Sequence, residues 1–254
     1  AEQQITAQKQ ELIDILDRLV ATNMNVAFFQ IRPAADALYS TEITTWSSYL
    51  TGTRGKAPGY DPLRFAIDEA HKRGIEIHGW MNPYRYRNST FPTYPTDDYM
   101  QVQHSDWLLN MSGSVILNPG LPEVRKHIAD VTKEIITKYS DIDGIVWDDY
   151  FYISSITSHD NAAYKAYNPN NLSLDDWRRD NVNKTVQEVY DTIQSCNPEI
   201  LFGISPRGIW STSQEAAGKY GVELPQGITG SDNYNSIYCD ALAWLSSGTI
   251  DYIS

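Results

Sequence analysis

The sequence predicts a parallel α/β fold of the (β/α)8 barrel type, and three observations carry that expectation. A unit of amphipathic helix, tight polar turn and apolar strand recurs five times along the 254 residues. Every strand run ends in a long or chemically dense loop, as in a barrel that gathers its site at one mouth, whereas a doubly wound sheet concentrates its site at one crevice. Neither G-x-G-x-x-G nor G-x-x-x-x-G-K-S/T occurs in the chain, so no nucleotide-binding motif supports the open alternative.

The elements follow in order. In QKQELIDILDRLV the residues Leu12, Leu16, Leu19 and Val20 recur at helical spacing, the mark of an amphipathic helix. Asn25 breaks it, Val26 to Ile31 form a dense apolar run, and Pro33 marks its end. Such a run reads as a parallel strand buried on both faces. Asp61-Pro62 starts the next helix, a capping acceptor followed by proline at the first helical position. Leu63, Ala66, Ile67 and Ala70 line that helix, Gly74 closes the unit, and IEIHGWMNP is the second strand. Val124, Ile128, Val131, Ile135 and Tyr139 stripe a further helix, and Gly144 opens IVWDDYF. Val182, Val186, Val189 and Ile193 stripe another ahead of NPEILFGISPRG, and a last helix near 241–245 leads through SSGT into IDYIS. Strands are thus expected near 26–32, 75–81, 144–148, 200–205 and 250–253, with VILNPG at 115–120 as a further short strand or extended segment.

Length and composition suit one large domain over residues 1–254. Hydrophobic residues make up 41%, charged residues 20%, and the chain carries 7 Trp, 17 Tyr and 6 Phe, an aromatic content foreign to disordered chains. Those rings are core, or the stacking surface of a sugar cleft. The net charge of -12 and the lack of any basic tract argue against a nucleic-acid partner. No apolar run reaches the roughly 18–20 residues of a membrane span, and the start AEQQITAQKQ is polar, so any export signal has been removed or was never included. Cys196 and Cys239 form no C-x-x-C pair; unpaired thiols are the simpler reading and a disulfide the alternative. The five histidines make no H-E-x-x-H arrangement, and no metal or organic cofactor is called for.

The strand ends supply the candidate chemistry. In DGIVWDDYFY, Asp148 and Asp149 stand where an apolar strand gives out. Neighbouring strand residues point to opposite sides, so both aim inward only if the strand has already bent. Two nearby carboxyls push each other's pKa apart, which lets one act as acid and one as base; a cap and an acceptor of backbone hydrogen bonds is the plain alternative. QIRPAADALY supplies Arg32 and Asp36, a clamp for a polyhydroxyl substrate or half of a structural ion pair. Trp46 and Tyr49 follow on a short helix, as lid or filler. HGWMNPYRYR places Trp80 and Tyr84 as stacking platforms, Asn82 as a hydroxyl partner and Arg85 beside them, with His78 inside the strand as a satisfied core histidine. Asn118, Ser205 and Arg207 occupy equivalent positions elsewhere, and Ser205 lacks the G-x-S-x-G setting of a hydrolase triad. Glycosidic cleavage normally uses two carboxyl groups flanking one bond; no Glu ends a strand, Glu76 lies inside one, and Asp232 in GSDNYNS is a further candidate.

FFQIRPAADALY, LTGTRGKAPGYDPLRFAIDEAHKRGIEIHGWMNPYR, LNPGLPEVRKHI, DGIVWDDYFY, DWRRDNVNK and FGISPRGIW together resemble the glycosyl-hydrolase-like family 10 domain, formerly a domain of unknown function numbered 187, over nearly the whole chain. The resemblance implies a TIM-type barrel of a secreted or envelope-associated bacterial protein, carbohydrate-active, with at least one branch that cuts peptidoglycan glycan strands. It implies functional positions at Arg32, Asp36, Asn82, Tyr84, Arg85, Asn118, Asp148, Asp149, Tyr150, Ser205 and Arg207, with the catalytic carboxylate at Asp148 or Asp149 and substrate binding at the rest. DGIVWD also partly follows the acidic motif of chitinase-type barrels, but Tyr150 stands where that motif has its catalytic Glu, so a substrate-assisted mechanism does not carry over.

Family members begin with a strand ahead of the first helix and continue past DYIS. The expectation is therefore an incomplete barrel, five strands of eight, truncated at both ends, whose open edges call for a complementing segment or self-association. The leading functional expectation is hydrolysis of an N-acetylhexosamine-containing cell-wall oligo- or polysaccharide. The alternative is a non-catalytic carbohydrate-binding or envelope scaffold domain. A metal-dependent hydrolase is disfavoured because no histidine sits beside the acidic pair.

Overall fold

The computed structural model of the chain describes residues 2–87, 94, 97–111 and 113–254. Helix α1 (Glu2–Ala21) starts earlier than its apolar stripe, with an acidic residue in its first turn where the helix dipole favours one. Strand β1 (Val26–Arg32) follows. After the short α2 (Ser48–Thr51), helix α3 (Pro62–His71) starts as read, the Asp61 side chain accepting from the Arg64 N–H at 3.1 Å. Gly74, at φ +70°, turns the chain into β2 (Glu76–Met81).

An insertion then departs from the repeat. Strand β3 (Arg85–Arg87), α4 (Tyr99–Gln103), β4 (Leu108–Met111) and β5 (Ser114–Leu117) come before α5 (Pro122–Lys138). The repeat resumes with β6 (Gly144–Trp147), α6 (Asn161–Ala166), the long α7 (Leu174–Cys196) and β7 (Leu201–Ile204). Three short helices, α8 (Gln214–Gly218), α9 (Asn233–Ser236) and α10 (Ala241–Ser247), lead to β8 (Tyr252–Ile253).

Five strands form one sheet in the order β1-β2-β6-β7-β8, every pair parallel. The chain order and the crossover helices make this a partial (β/α)8 barrel. VILNPG does not join it: β5 pairs antiparallel with β3 and β4 in a second sheet of order β3-β5-β4. Sequence reading passed over β3 and β4 because three residues, two of them arginine, and a four-residue run carry too short a period to read.

One correction concerns burial. The strands are not covered equally on both faces. Ile31, Ile77, Met81, Ile145, Trp147, Phe202 and Ile204, the alternate positions facing the helices, are fully buried. On the opposite face Phe28 is 43% and Leu201 41% exposed. What covers the rest of that inner face is a set of rings laid over glycines. The Phe28, His78 and Tyr252 rings lie at centroid separations of 5.4 to 6.2 Å, and the Tyr252 hydroxyl meets His78 Nδ1 at 2.6 Å. His78 is thus a core histidine, but only half satisfied: its Nε2 has no hydrogen-bond partner among the described residues. A Cβ on Gly144 would stand 2.5 Å from the His78 ring, and one on Gly203 would stand 2.0 Å from the Tyr252 ring.

Both cysteines are free thiols, Cys196 exposed and Cys239 buried. No helix among the described residues is long and apolar enough to cross a membrane.

The ring-over-glycine packing yields a test. Gly203→Ala pushes the Tyr252 ring off its seat, at a cost of about 1–3 kcal/mol typical of overpacking, read by urea unfolding. In a Tyr252→Ala background the same change costs under about 0.5 kcal/mol, since coupled sites are non-additive. Equal costs in the two backgrounds would show that the contact does not set the need for glycine.

Candidate active site

The ends of the parallel strands are tied into one row. Beyond β2, the Asn82 N–H donates to the Arg32 carbonyl at 2.8 Å; beyond β6, Asp148 donates to the Met81 carbonyl at 3.4 Å; beyond β7, Ser205 donates to the Trp147 carbonyl at 2.8 Å. These last rungs bring Asn82, Asp148 and Ser205 together at the C-terminal mouth of the sheet. Phe28, Trp80, Val146, Trp147, Asp148 and Ser205 line a cleft of about 190 Å³ there.

Asp148 is the centre of this group. It is 8% exposed, and its Oδ2 accepts from Trp80 Nε1 at 2.9 Å and from Asn82 Nδ2 at 3.2 Å. Its Oδ1 accepts from the Tyr150 N–H at 3.3 Å. Asn82 is held in turn, its Oδ1 accepting from the Arg85 N–H at 2.8 Å. Burial pushes the Asp148 carboxyl up to about 6, against the pull of the Trp80 donor, the Arg85 charge and the Tyr150 amide; Asp149 adds to the rise. Burial disfavours the charged form, so the proton is held near neutrality. Trp80, read as a stacking platform, thus also donates to the acid.

Asp149 lies past the end of β6 and turns to the other side, as expected of a neighbour. It pairs with Arg207 and lines a second cleft, of about 200 Å³, with Arg85, Arg87, Tyr150 and Arg207 among its walls. The Arg85 guanidinium sits 3.7 Å from the centroid of the Tyr150 ring, whose residue is 45% exposed. The two carboxylates therefore open into separate clefts, and among the described lining residues neither cleft holds another.

The remaining candidates lie elsewhere. Arg32 is fully buried, and its guanidinium nitrogens have no hydrogen-bond partner among the described residues. A register irregularity between Gln30 and Arg32 changes which side of the strand it faces. Burial lowers its pKa, while Tyr39, Asp36 and Glu134 oppose the drop. Asp36 takes the ion-pair reading: its Oδ1 accepts from the Ala34 N–H at 2.9 Å, and its Oδ2 pairs with Arg54 at 3.1 Å. Arg54 also pairs with Asp98 and donates to the Ala34 and Ala35 carbonyls. This grip holds Ala35 at φ +49°, a left-handed conformation that costs about 1–2 kcal/mol for an L-residue. Tyr84 is buried, its hydroxyl donating to Thr185 on α7 at 2.8 Å; it lines neither cleft. Asn118 closes a turn, its Oδ1 accepting from the Gly120 N–H at 3.0 Å. Asp232 caps α9 and accepts from Thr212 and Asn235. In the β1–α3 connection Trp46 bridges Ala37, while Tyr49 is 60% exposed.

Sequence reasoning missed Arg54 and Arg87. Arg54 stood inside the motif LTGTRGKAPGYDP, but its partner Asp98 is 44 residues away, and nothing local points to it.

Comparison with known proteins places the chain. Residues 2–254 match the family described as Glycosyl hydrolase-like 10. The chain is 41% identical over 255 residues to the glycosyl hydrolase YngK of Bacillus subtilis (strain 168), covering 98% of this chain and 49% of that protein. It is 38% identical over 260 residues to the glycosyl hydrolase DigH of Escherichia coli (strain K12), covering 97% and 57%. It thus spans about half the length of the curated relatives it matches. Among solved structures, the alpha-L-fucosidase isoenzyme 2 from Paenibacillus thiaminolyticus superposes with a TM-score of 0.56 at 13% identity, over 83% of this chain and 31% of that one. At that identity the likeness is one of fold.

The environment of Asp148 makes a prediction about stability. Its folded pKa, about 6, lies above the usual value of an aspartate near 3.9. The folded state therefore binds the proton more tightly, an advantage complete below about pH 4 and lost as pH rises through 6. Urea unfolding of Asp148→Asn beside the parent is expected to show the variant gaining on the parent by up to about 3 kcal/mol across that window. A difference that does not change between pH 4 and 7 would mean that Asp148 titrates normally.

Proposed function

Because the chain belongs to the glycosyl hydrolase-like 10 family, we propose that it is a glycoside hydrolase of the cell envelope or secreted space, acting on an N-acetylhexosamine-containing cell-wall glycan. The observation that carries this reading is the buried Asp148 carboxyl. Held near 6 at the mouth of the strand row, it keeps a proton to deliver to the glycosidic oxygen as the bond breaks, the role of a general acid in glycosidases. Trp80 and Asn82 fix the Oδ2 atom, so the geometry of proton delivery is set before substrate arrives.

Asp149 is the second carboxylate of the proposed pair. Its pairing with Arg207 orients it, as nucleophile, base or stabiliser of the developing positive charge. Trp80 and Tyr150 offer ring faces to pyranose rings, Arg85 and Arg207 offer donors to hydroxyls, and Ser205 lines the first cleft with Trp80. Asn82 acts through Asp148, and Asp36 through the loop that Arg54 grips. Arg32, Tyr84 and Asn118 support the strand ends from the core.

A second reading, glycan binding without turnover, is favoured by one observation. Among the described residues, the two clefts contain no carboxylate beyond Asp148 and Asp149, and these face different sides.

Product release from peptide-free peptidoglycan strands and chitooligosaccharides, read by mass spectrometry, separates the two. The parent is expected to cleave. Asp148→Asn lowers kcat by about 10²–10⁴-fold, the usual worth of a general acid, with KM little changed. The kcat/KM of the parent falls as pH rises above about 6, because the acid must carry its proton. Glycan binding by the parent with no cleavage at any pH would establish the second reading.

A further inference from the structure

Both oxygens of Asp148 are held, and the groups that hold them belong to one closed loop of contacts. Oδ1 accepts from the Tyr150 N–H at 3.3 Å, and Oδ2 accepts from Asn82 Nδ2 at 3.2 Å. Asn82 Oδ1 accepts from the Arg85 N–H at 2.8 Å. The Arg85 guanidinium lies 3.7 Å from the centre of the Tyr150 ring, which closes the circuit. The loop also spans both clefts. Asn82 is fully buried and Asp148 lines the cleft with Trp80 and Ser205, while Arg85 and Tyr150 line the cleft of Asp149. The contact between Arg85 and Tyr150 is the link that a ligand can reach, since Tyr150 is 45% exposed and Arg85 half-buried. A cation resting on an exposed ring is held weakly, so this is also the link most easily moved.

We propose that Arg85 and Tyr150 are positioning residues that make proton delivery by Asp148 depend on what occupies the Asp149 cleft. The proposal rests on the hydrolase reading above and adds the control of its acid. Oδ2 takes donors from both Trp80 and Asn82, so the proton resides on Oδ1, the oxygen beside the Tyr150 amide. As the glycosidic bond breaks, that proton bonds to the leaving oxygen, which keeps the electron pair of the C–O bond. Water supplies the hydroxyl of the other product, and the acid is left as a carboxylate. Donors and positive charge aimed at that carboxylate stabilise it as it forms. Arg85 and Asp149 are the charged groups that bear on Asp148, the first lowering and the second raising its pKa; its cleft adds Phe28, Val146, Trp147 and Ser205, none of them charged. A sugar that enters the Asp149 cleft engages Arg85 and Tyr150, because both wall it. Any shift of the guanidinium changes the charge felt at Asp148, and any shift of Tyr150 moves the N–H on Oδ1. Binding of a remote sugar is thereby realised as rate rather than as affinity.

The test reads proton delivery apart from binding. Cleavage of a chitooligosaccharide, whose leaving group is a sugar and needs the acid, is compared with that of a dinitrophenyl chitooligosaccharide, whose leaving group departs without a proton. Arg85→Met and Tyr150→Ala are expected to lose about tenfold more kcat on the first than on the second, a fraction of the worth of a general acid. The titration of Asp148 is followed directly, by the carboxyl ¹³C signal of aspartate-labelled protein, assigned by its absence in Asp148→Asn. Loss of the Arg85 charge favours the protonated form, so in Arg85→Met the titration moves up, by up to about one pH unit, and the fall of kcat/KM on the alkaline side moves with it. In Tyr150→Phe, which keeps a ring under the guanidinium, the titration returns to its position in the parent. A thio-linked chitooligosaccharide, which resists cleavage, moves the titration in the parent and leaves it in place in Tyr150→Ala. Equal losses on the two substrates, or a raised KM with the Asp148 titration unmoved, would overturn the proposal and leave the hydrolase reading standing, with Arg85 and Tyr150 as sugar contacts alone. A titration that moves with both substitutions and with added sugar, in a parent that cleaves neither substrate, would sustain the coupling of the clefts and defeat the hydrolase reading instead.

Discussion

The parallel ladder is the constraint on which the rest of this structure depends. Backbone hydrogen bonds tie β1 to β2, β2 to β6, β6 to β7 and β7 to β8 residue by residue, so the position of one strand end sets the next. Asn82, Asp148 and Ser205 share one mouth because each donates its amide to the last carbonyls of the neighbouring strand. A slip of one residue would turn every side chain to the other face. Asp148 would leave its donors, and the ring-over-glycine packing of His78 and Tyr252 would be lost with it.

Within that frame, burial sets the protonation of Asp148, and Arg207 sets the orientation of its neighbour. Asp148 is enclosed by Trp80, Asn82 and the Tyr150 amide, enough donors to hold it in place but too few to offset the loss of water. Its proton is therefore held to about pH 6. Asp149 is one residue on and more open, with Arg207 against it. Two carboxyls adjacent in sequence thus acquire different environments.

The insertion after β2 and the connection after β1 supply what the ladder does not. Strand β3 carries Arg85 and Arg87 to the cleft of Asp149, and pairing with β5 holds it there. Arg54 grips Asp36, Asp98 and the carbonyls of Ala34 and Ala35, pinning a strained turn next to the mouth. Removing one partner of such a buried set leaves uncompensated charge. That explains why an Asp at a strand end is here a brace for the loop. Tyr84 and Asn118 serve in the same way, one anchored to α7 and the other closing a turn.

The amino-acid sequence by itself determined the alternation of helix and strand, the parallel class and the gathering of polar residues at strand ends. These follow from periods of 3.6 and 2 and from caps such as Asp61-Pro62, all of which are local. It also singled out DGIVWDDYFY, whose Asp148 and Asp149 lie just past the end of β6. Only the tertiary structure decided that VILNPG belongs to a second sheet, that Arg32 turns into the core and that Asp36 serves Arg54. It likewise decided that Asp148 and Asp149 open into different clefts, and that Arg87 stands in one of them. The partners that settle these roles are far apart in the chain: Trp80 and Asp148 by 68 residues, Arg207 and Asp149 by 58. A hydrogen bond or an ion pair acts over a few ångströms of space, and which residues come that close is set by strand register and by one irregularity in β1, not by their neighbours in sequence.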